Sequence, residues 1–387
     1  MKIYLTIAQI LLLITTFTLY GQNPDKQISF ALEHKPHSYY VKQAVLWWKE
    51  IKKDTKNENA WYNYFRACRN AQATVGWNKD YIKESPYLKS GPDIVKLIQK
   101  NVPNTFTSNF VIWEERGFDP TKGEYLLKAY DMNPDFEGIH ASMIAYAESE
   151  LNYELRKKVN IKWFPHNEIS PGLLAYGYNV LMSLEPNSII LTEHDNDTFP
   201  LLMLQDVKNI RPDVTVINFD MLLVKSYRDK IFHKYQIAQL DTIFEETSSI
   251  NHEILINHIL KNYSNAIPLY FGLTVTPTYY GKYLNNLFVT GLALRYSHLP
   301  IDTFSICEQH YDNDFKLDYL GIQYSNDRNQ STVNQQNKNY LPSIIILYHS
   351  YKIKDTNKAI KLKKLAILIA ENSGDSALMN KVNEELK

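Results

Sequence analysis

The sequence predicts an α/β fold with all-α flanks. Two apolar runs, residues 189–191 and 214–217, enclose a segment with helical spacing, which is the pattern of a strand, a helix and a second strand. Apolar residues at three- and four-residue spacings predict helices before residue 160 and after residue 341. Strands separated by helices favour a mainly parallel sheet with helices packed on it.

Composition limits the class of protein. The chain has 387 residues, 44% hydrophobic and 22% charged, which is enough for two or three packed domains. The net charge is +0 and the pI is near 7.2, so nucleic acid is not expected as a partner. The 28 tyrosines fit polar-faced aromatic packing, sugar-like ligands or a compositional bias. We expect the following segments: a signal peptide at 1–21, a helical region at 22–160, an α/β module at 161–322, a polar linker or loop at 323–340, and C-terminal helices at 341–387.

The first 21 residues have the pattern of a secretory signal peptide. Lys2 precedes an apolar core at residues 10–14, and Gly21 offers a small residue for cleavage before Gln22. The alternative is an uncleaved anchor, although the apolar part is shorter than the roughly 20 residues that span a bilayer. We expect an exported protein of the periplasm, cell surface or medium, without a membrane span after removal of the signal.

Cys68 and Cys307 are the two cysteines. An exported protein can pair them. Cys68 also falls on the apolar face of a predicted helix, where a free thiol packs as a small hydrophobic group. Two cysteines without a C-x-x-C spacing exclude a zinc ribbon.

The amino-terminal region is predicted to be helical. Tyr40, Ala44, Trp47 and Ile51 form the apolar face of one helix, and a polar turn at 54–57 leads into another. The turn and the aromatic-rich start of the second helix resemble the junction between tetratricopeptide repeats, and residues 125–134 end in an Asn-Pro turn that such repeats favour. Residues 76–118 keep no 34-residue period, so these are degenerate repeats or simple helical hairpins. Their surface implies a protein partner.

Acidic and amide side chains follow the predicted strands. Asp195, Asn196 and Asp197 come after the first strand, and Asn218 and Asp220 end the second on the same edge if the strands are parallel. Residues 268–275 predict a third strand and residues 287–296 a fourth. Ligands of open α/β sheets usually bind at the carboxyl ends of the strands. The candidate ligand-binding residues are therefore Asp195, Asn196, Asp197, Asn218, Tyr280 in a covering loop, and Arg295.

Two roles are open for the Asp-x-Asp of this loop. Asp195 and Asp197 offer hard oxygen ligands to a divalent cation, as in one class of nucleotide-sugar glycosyltransferase. Alternatively, Asp197 caps a helix beginning near Thr198. His194 is expected to be a hydrogen-bonded loop residue, and Arg295 either pairs with the acidic cluster or forms a structural salt bridge. No nucleophile elbow, P-loop, dinucleotide fingerprint or H-E-x-x-H is present, so no catalytic residue is assigned.

Residues 195–201 (Asp-Asn-Asp-Thr-Phe-Pro-Leu) and 210–218 (Ile-Arg-Pro-Asp-Val-Thr-Val-Ile-Asn) resemble the soluble carboxyl-terminal region of bacterial protein O-mannosyltransferase-like membrane proteins. The likeness continues at residues 267–275 and 291–296 and covers roughly residues 170–297, about a third of the chain. Those proteins usually carry Asn-Gly where this chain has Glu193 and His194. The resemblance implies an extracytoplasmic α/β module but no transferase activity, because the membrane-embedded catalytic half has no counterpart.

The leading expectation is a non-enzymatic binding or scaffold protein of the cell envelope. Its helical region would contact a protein, and its α/β module would offer a small polar pocket, with a glycan as one ligand class. The alternative is an enzyme of glycan or cell-envelope metabolism that uses residues 195–197 with a divalent metal. An enzyme requires Asp195, Asn218 and Tyr280 to converge in an open cleft, whereas a scaffold allows side chains to fill that edge.

Overall fold

The computed structural model describes residues 23–115, 118–244, 248–263, 267–322 and 329–387. The predicted signal peptide lies outside these residues. The chain divides into two compact units, Met1–Pro134 and Asp135–Lys387. Along the described ranges, no helix combines the length and the apolar character that crossing a bilayer requires.

The first unit contains helices and no strand in its described part, as predicted. Its helices are α1 (His37–Lys53), α2 (Glu58–Thr74), α3 (Gly91–Asn101), α4 (Phe106–Glu114) and α5 (Gly123–Met132). Helices α1 and α2 form the expected hairpin, and the Asn57 side chain caps α2 by accepting a hydrogen bond from the backbone N–H of Ala60. Ala44, Trp61 and Tyr64 are buried, so the apolar spacing marks the face that packs.

The second unit combines helices with a sheet. Its helices are α6 (Ile139–Ser149), α7 (Tyr153–Trp163), α8 (Pro171–Met182), α9 (Asp195–Lys208), α10 (Lys225–Lys234), α11 (Ser249–Asn262), α12 (Thr303–Gln309), α13 (Gln330–Asn337), α14 (Leu341–Lys354), α15 (Thr356–Ser373) and α16 (Ser376–Glu385). Its strands are β1 (Ile189–Thr192), β2 (Thr215–Asn218), β3 (Leu269–Gly272), β4 (Leu287–Val289) and β5 (Ala293–Tyr296). The α/β class with helical flanks is confirmed.

The sheet has the strand order β2-β1-β3-β5-β4. Strand β1 pairs in parallel with both β2 and β3, with Thr192 opposite Asn218 and Leu191 opposite Phe271. Strands β5 and β4 add an antiparallel edge. All four residues of β1 are buried, which is why it has no polar alternation in the sequence.

One predicted strand is a hairpin instead. Residues 287–296 form β4 and β5, which turn at Gly291, rather than a single fourth strand. Gly291 has φ +94°, and a Cβ there would lie 2.8 Å from the Ser183 hydroxyl oxygen. The Ser183 hydroxyl oxygen accepts a hydrogen bond from the backbone N–H of Leu292 at 3.0 Å, so this contact holds the turn against α8.

Helices α6 and α7 belong to the second unit, whereas the sequence led us to expect its start near residue 161. The difference has an electrostatic basis. Arg156 of α7 donates to both carboxylate oxygens of Asp206 on α9 at 2.8 Å, and Asn160 donates to Asp206 at 2.7 Å. These bonds join α7 to the helix that follows β1, and no periodicity in the sequence predicts such a long-range pair.

The polar segment expected as a linker is helical where it is described. Residues 330–337 form α13, and a 3₁₀ turn, Lys338–Tyr340, follows. Val333 is only 3% exposed and packs against Gly172 of α8. The Asn334 amide donates to the carbonyl of Asn372 at 2.8 Å. Tertiary contacts therefore stabilise a helix that its polar composition does not favour.

Cys68 and Cys307 are both buried free thiols and form no disulfide in this structure. Burial raises the pKa of each thiol to about 11, so both stay protonated at neutral pH. Each therefore packs as a small apolar group.

Candidate functional site

The polar site lies at the carboxyl edge, by which we mean the residues that follow β1, β2 and β3. Strand β2 lies on one side of β1 and β3 on the other, so the chain connections diverge between β1 and β3. Loops that leave parallel strands in opposite directions open a crevice at such a switch point, where α/β proteins bind ligands. The residues after β1 and β3 meet at this crevice.

Glu193 occupies the crevice itself. Its side chain is 2% exposed, and its carboxylate accepts a hydrogen bond from the Thr276 backbone N–H at 2.7 Å. The Thr276 and Tyr279 hydroxyls donate to the other oxygen at 3.3 and 3.2 Å. The loop after β3 thus supplies every one of these donors, and Glu193 joins it to the end of β1.

Asp197 is a second buried carboxylate beside Glu193. Helix α9 begins at Asp195 with His194 as its N-cap residue, so the expectation that Asp197 caps a helix starting near Thr198 is wrong. Instead Asp197 reaches back from the first turn and accepts hydrogen bonds from the Glu193 backbone N–H, at 3.0 Å, and from the Thr274 hydroxyl. Burial raises the pKa of Asp197 to about 6. A Cβ at position 272 would lie 3.1 Å from its carboxylate oxygen, so glycine there leaves room for Asp197.

His194, Asp220 and His252 form a hydrogen-bonded line with the carboxylate in the middle. The Asp220 carboxylate lies 2.8 Å from His194 Nδ1 and 3.0 Å from His252 Nε2. Burial opposes ionisation of Asp220, but the hydrogen bonds from the two imidazoles outweigh it and hold the pKa of that carboxyl well below its usual range. The hydrogen bond to Asp220 raises the pKa of His194 to about 9, so this imidazole is cationic at neutral pH.

His194 is exposed and has an unusual backbone. Its side chain is 74% exposed, and its φ and ψ are 67° and 175°. This combination is populated almost entirely by glycine and costs on the order of 1–3 kcal/mol in other residues. The Asp220 carboxylate also accepts a hydrogen bond from the His194 backbone N–H at 3.1 Å. One carboxylate therefore holds both the backbone and the ring of this residue.

The predicted site residues differ in exposure and in the partners that they contact. Asp195 is exposed at the start of α9, and the half-buried Asn196 accepts a hydrogen bond at its carbonyl from the Gln336 amide of α13 at 3.0 Å. Asn218 is 7% exposed and bonds Thr198 and the backbone of Met221. Tyr280 is 4% exposed and packs against Phe271.

Arg295 lies at the opposite end of the sheet. Its guanidinium pairs with Glu185, which precedes β1, at 2.8 Å, and stacks over the Tyr270 ring. Of its two predicted roles, the structure shows the salt bridge.

The donor atoms of Glu193, His194 and Asp220 lie within 4.8 Å of one another, so this group is able to hold a cation. Asp197 uses one carboxylate oxygen for its two hydrogen bonds. Metal binding by Asp195 and Asp197 stays a prediction.

Sequence reasoning placed Asp220 on the correct edge but assigned it no role, and it did not single out His252. The position of Asp220 directly after β2 is the feature that points to it. His252 belongs to α11, where a histidine among apolar residues is typical of an ordinary helix face. Its ring stacks on Tyr279 at 4.4 Å between centroids, a contact that only the folded chain reveals.

A family model described as TMEM260-associated domain 2 matches residues 173–247, about a fifth of the chain. The match includes β1, α9 and β2 and overlaps the stretch that resembles the O-mannosyltransferase-like proteins. No curated protein and no solved structure matches the chain.

Proposed function

We propose that this chain is an exported cell-envelope protein that binds or scaffolds rather than catalyses. In this proposal the helical unit contacts a protein partner, and the carboxyl edge around His194 binds a small polar ligand, with a glycan as the leading class. The pattern of residues 1–21 supports export. The resemblance of residues 195–218 to the soluble region of O-mannosyltransferase-like membrane proteins supports an extracytoplasmic setting.

The observation that carries the proposal is the occupation of the crevice by the protein's own carboxylates. Glu193 and Asp197 are 2% and 3% exposed, and both are hydrogen-bonded to the loop after β3. Asn218 and Tyr280 are also buried, so they do not form an open cleft with Asp195. A reacting substrate needs such a cleft. The solvent-accessible groups around the crevice, which we call the rim (His194, Asp195, Asp220 and Tyr279), favour binding of a ligand at the surface instead.

The chemistry of the rim suits a ligand rich in hydroxyl groups. Such a ligand both donates and accepts hydrogen bonds, and the rim offers a cationic imidazole donor at His194 beside the carboxylate acceptors Asp195 and Asp220. Tyr279 adds a half-buried aromatic face, stacked on His252. These groups together support a glycan ahead of an apolar ligand.

Calorimetric titration of the purified chain with mono- and disaccharides and with nucleotide-sugars tests this proposal. We expect a saccharide to bind without being consumed, and His194→Ala to abolish the heat of binding. His349→Ala is the matched control, because His349 is another exposed histidine beside a carboxylate, Glu385. If no saccharide binds, or if His349→Ala weakens binding as much as His194→Ala, glycan binding at this edge is ruled out.

Export has its own test. The mature protein recovered from the envelope or medium should begin at or near Gln22. Protein that retains Met1 in the cytoplasm would contradict the exported setting.

One observation favours an enzyme of glycan or cell-envelope metabolism as a second candidate. A cationic imidazole oriented by a carboxylate is suited to give a proton to a leaving group, and His194 with Asp220 has this geometry. In this candidate the loop of residues 195–197 belongs to the same site, with Asp195 as its exposed member. Release of product from a nucleotide-sugar or a glycoside, lost in His194→Ala but kept in His349→Ala, would establish this candidate in place of the first.

A further inference from the structure

A second cluster of metal-binding side chains lies in the helical part of the second unit. Asp135, His140 and His166 each offer one ligand atom, and these atoms lie within 4.8 Å of one another. None of these residues belongs to the carboxyl edge. We propose that Asp135, His140 and His166 bind a divalent transition-metal ion, with zinc as the ion that fits the donor set best.

Three separate pieces of chain supply the donors. Asp135 precedes α6, His140 is the second residue of α6, and His166 ends the 3₁₀ turn Phe164–His166 that follows α7. The His140 ring stacks on Trp163 at 6.1 Å and lies 4.8 Å from the His166 ring. Packing of α6 on α7 therefore brings His166 close to Asp135, which lies 31 positions earlier in the sequence.

A buried carboxylate, Glu168, lies beside both imidazoles. One of its oxygens accepts hydrogen bonds from the Trp163 indole at 3.0 Å and from the Gly138 backbone N–H at 3.1 Å. The other oxygen lies 4.0 Å from His140 Nδ1 and 3.9 Å from His166 Nδ1. Metal-bound histidines commonly hydrogen-bond their second nitrogen to a carboxylate, and Glu168 would take this role if the two rings moved a few tenths of an ångström towards it. In that arrangement the Nε2 atoms would bind the ion.

The spacing fits an ion better than a set of hydrogen bonds. His166 Nε2 lies 3.8 Å from Asp135 Oδ1, beyond hydrogen-bond distance. Zinc–ligand bonds of about 2.0–2.2 Å put neighbouring ligands of a tetrahedral ion roughly 3.3–3.5 Å apart. A contraction of a few tenths of an ångström between these two atoms would reach this separation. Two imidazoles and one carboxylate are a donor set that zinc and related ions accept.

The cluster is open to solvent on one side, where a lysine competes for the carboxylate. His140 is fully buried, whereas the side chain of Asp135 is 64% exposed, so the site opens to solvent at Asp135. The Lys162 ammonium lies 3.1 Å from Asp135 Oδ1 and puts a positive charge beside the oxygen that would bind the ion. Lys162 is 36% exposed on a flexible stem and is able to move aside. It therefore competes with the metal for Asp135.

At the carboxyl edge, existing hydrogen bonds already occupy the groups that could bind an ion. There the Asp220 carboxylate already binds His194 and His252 at hydrogen-bond distances of 2.8 and 3.0 Å, and the proton on His194 competes with any ion. The two clusters share no residue. The two clusters are thus separable by mutation.

Calorimetric titration of the full chain, free of any polyhistidine tag, with zinc chloride tests the proposal, and cobalt(II) absorption reports the ligand set. We expect one zinc per chain and a rise in melting temperature that is lost in His166→Ala. Glu168→Gln should weaken zinc binding about 10- to 100-fold, as removal of an outer-shell partner does. Lys162→Met should strengthen it, because the competing ammonium is gone.

His349→Ala and His194→Ala are the controls for a surface histidine and for the carboxyl edge. Both should bind zinc as the parent does. The proposal is overturned if the parent binds no zinc, if binding survives in His166→Ala, or if His194→Ala removes it, since the ion would then belong elsewhere. Without metal, the melting temperature of His166→Ala should be close to that of the parent. This result would show that the variant has lost zinc binding and not the fold.

Discussion

At the scale of single residues, His194 combines a strained backbone with an exposed charge. The proteins that this segment resembles usually have glycine at this point, and glycine adopts φ 67° and ψ 175° without penalty. This chain instead has a histidine, which pairs with Asp220. An exposed pair of this kind contributes at most about 1 kcal/mol because solvent screens it. The pair therefore offsets only part of the strain, which favours a role for the imidazole in binding.

The first prediction separates strain from pairing. His194→Ala loses the pair and keeps the strain, whereas His194→Gly loses both. We expect His194→Gly to be more stable than His194→Ala by about 1–3 kcal/mol in denaturant unfolding. Equal stabilities of the two variants would show that position 194 is not strained.

The second prediction concerns the hydrogen bonds of Asp197. Asp197→Ala leaves the Glu193 backbone N–H without its acceptor and should cost about 1–3 kcal/mol of unfolding free energy. Asp197→Asn keeps a carbonyl oxygen at this place and should cost less. Asp195→Asn, at an exposed position, should change stability by less than about 0.5 kcal/mol. A loss in Asp195→Asn as large as that in Asp197→Ala would refute this division of roles.

The third prediction is a pH dependence. The pKa of Asp197 is about 6 in the folded chain and about 3.8 when unfolded, so the folded state binds this proton more tightly. The resulting stabilisation is complete below about pH 3.8 and is lost as the pH rises through 6. Between pH 7 and pH 4 the parent should gain on the order of 2 kcal/mol relative to Asp197→Asn, measured by denaturant unfolding. A constant difference over this range would contradict the raised pKa.

At the scale of elements, the docking of α13 on α8 explains why a polar segment folds. Gly172 lies where any side chain would meet Val333, since a Cβ would come within 2.7 Å of a Val333 methyl group. With valine at position 333, the contact requires glycine at position 172. Close packing of this kind is sensitive to one added methyl group.

The fourth prediction tests this contact. Gly172→Ala should destabilise the chain by about 1–3 kcal/mol through overpacking. In the double variant with Val333→Ala the loss should be smaller than the sum of the two single losses, by at least about 0.5 kcal/mol. Gly281→Ala is the control, because no atom lies within 4 Å of a Cβ there. Additive losses would mean that the two helices do not meet at these residues.

At the scale of the whole molecule, the two compact units divide the secondary structure between them. All strands of the described residues belong to the second unit, and the first is helical. Helices α6 and α7 are attached to the second unit by Arg156 and Asn160, which hold Asp206, and by the contact of Trp163 with Phe199. The second unit therefore includes residues that the sequence pattern assigns to the helical region.

The fifth prediction compares fragments. Circular dichroism of residues 23–134 should show helix without strand, and residues 135–387 should contain the strands. A fragment of residues 161–387 should unfold at a lower denaturant concentration than 135–387, because Asp206 loses Arg156 and Asn160. If fragments 135–387 and 161–387 unfold at the same denaturant concentration, the boundary lies near residue 160.

The sequence by itself determined the fold class, the helical hairpin of α1 and α2, the three parallel strands and the edge at which polar residues gather. These features are local, since periodicity, β-branched runs and helix caps act within about a dozen residues. Tertiary structure decided which polar residues converge. His252 meets Asp220 across 32 positions and Thr276 meets Glu193 across 83, and no local pattern encodes such pairs. It also decided that residues 330–337 are a helix, because Val333 is buried against Gly172 only once the chain has folded.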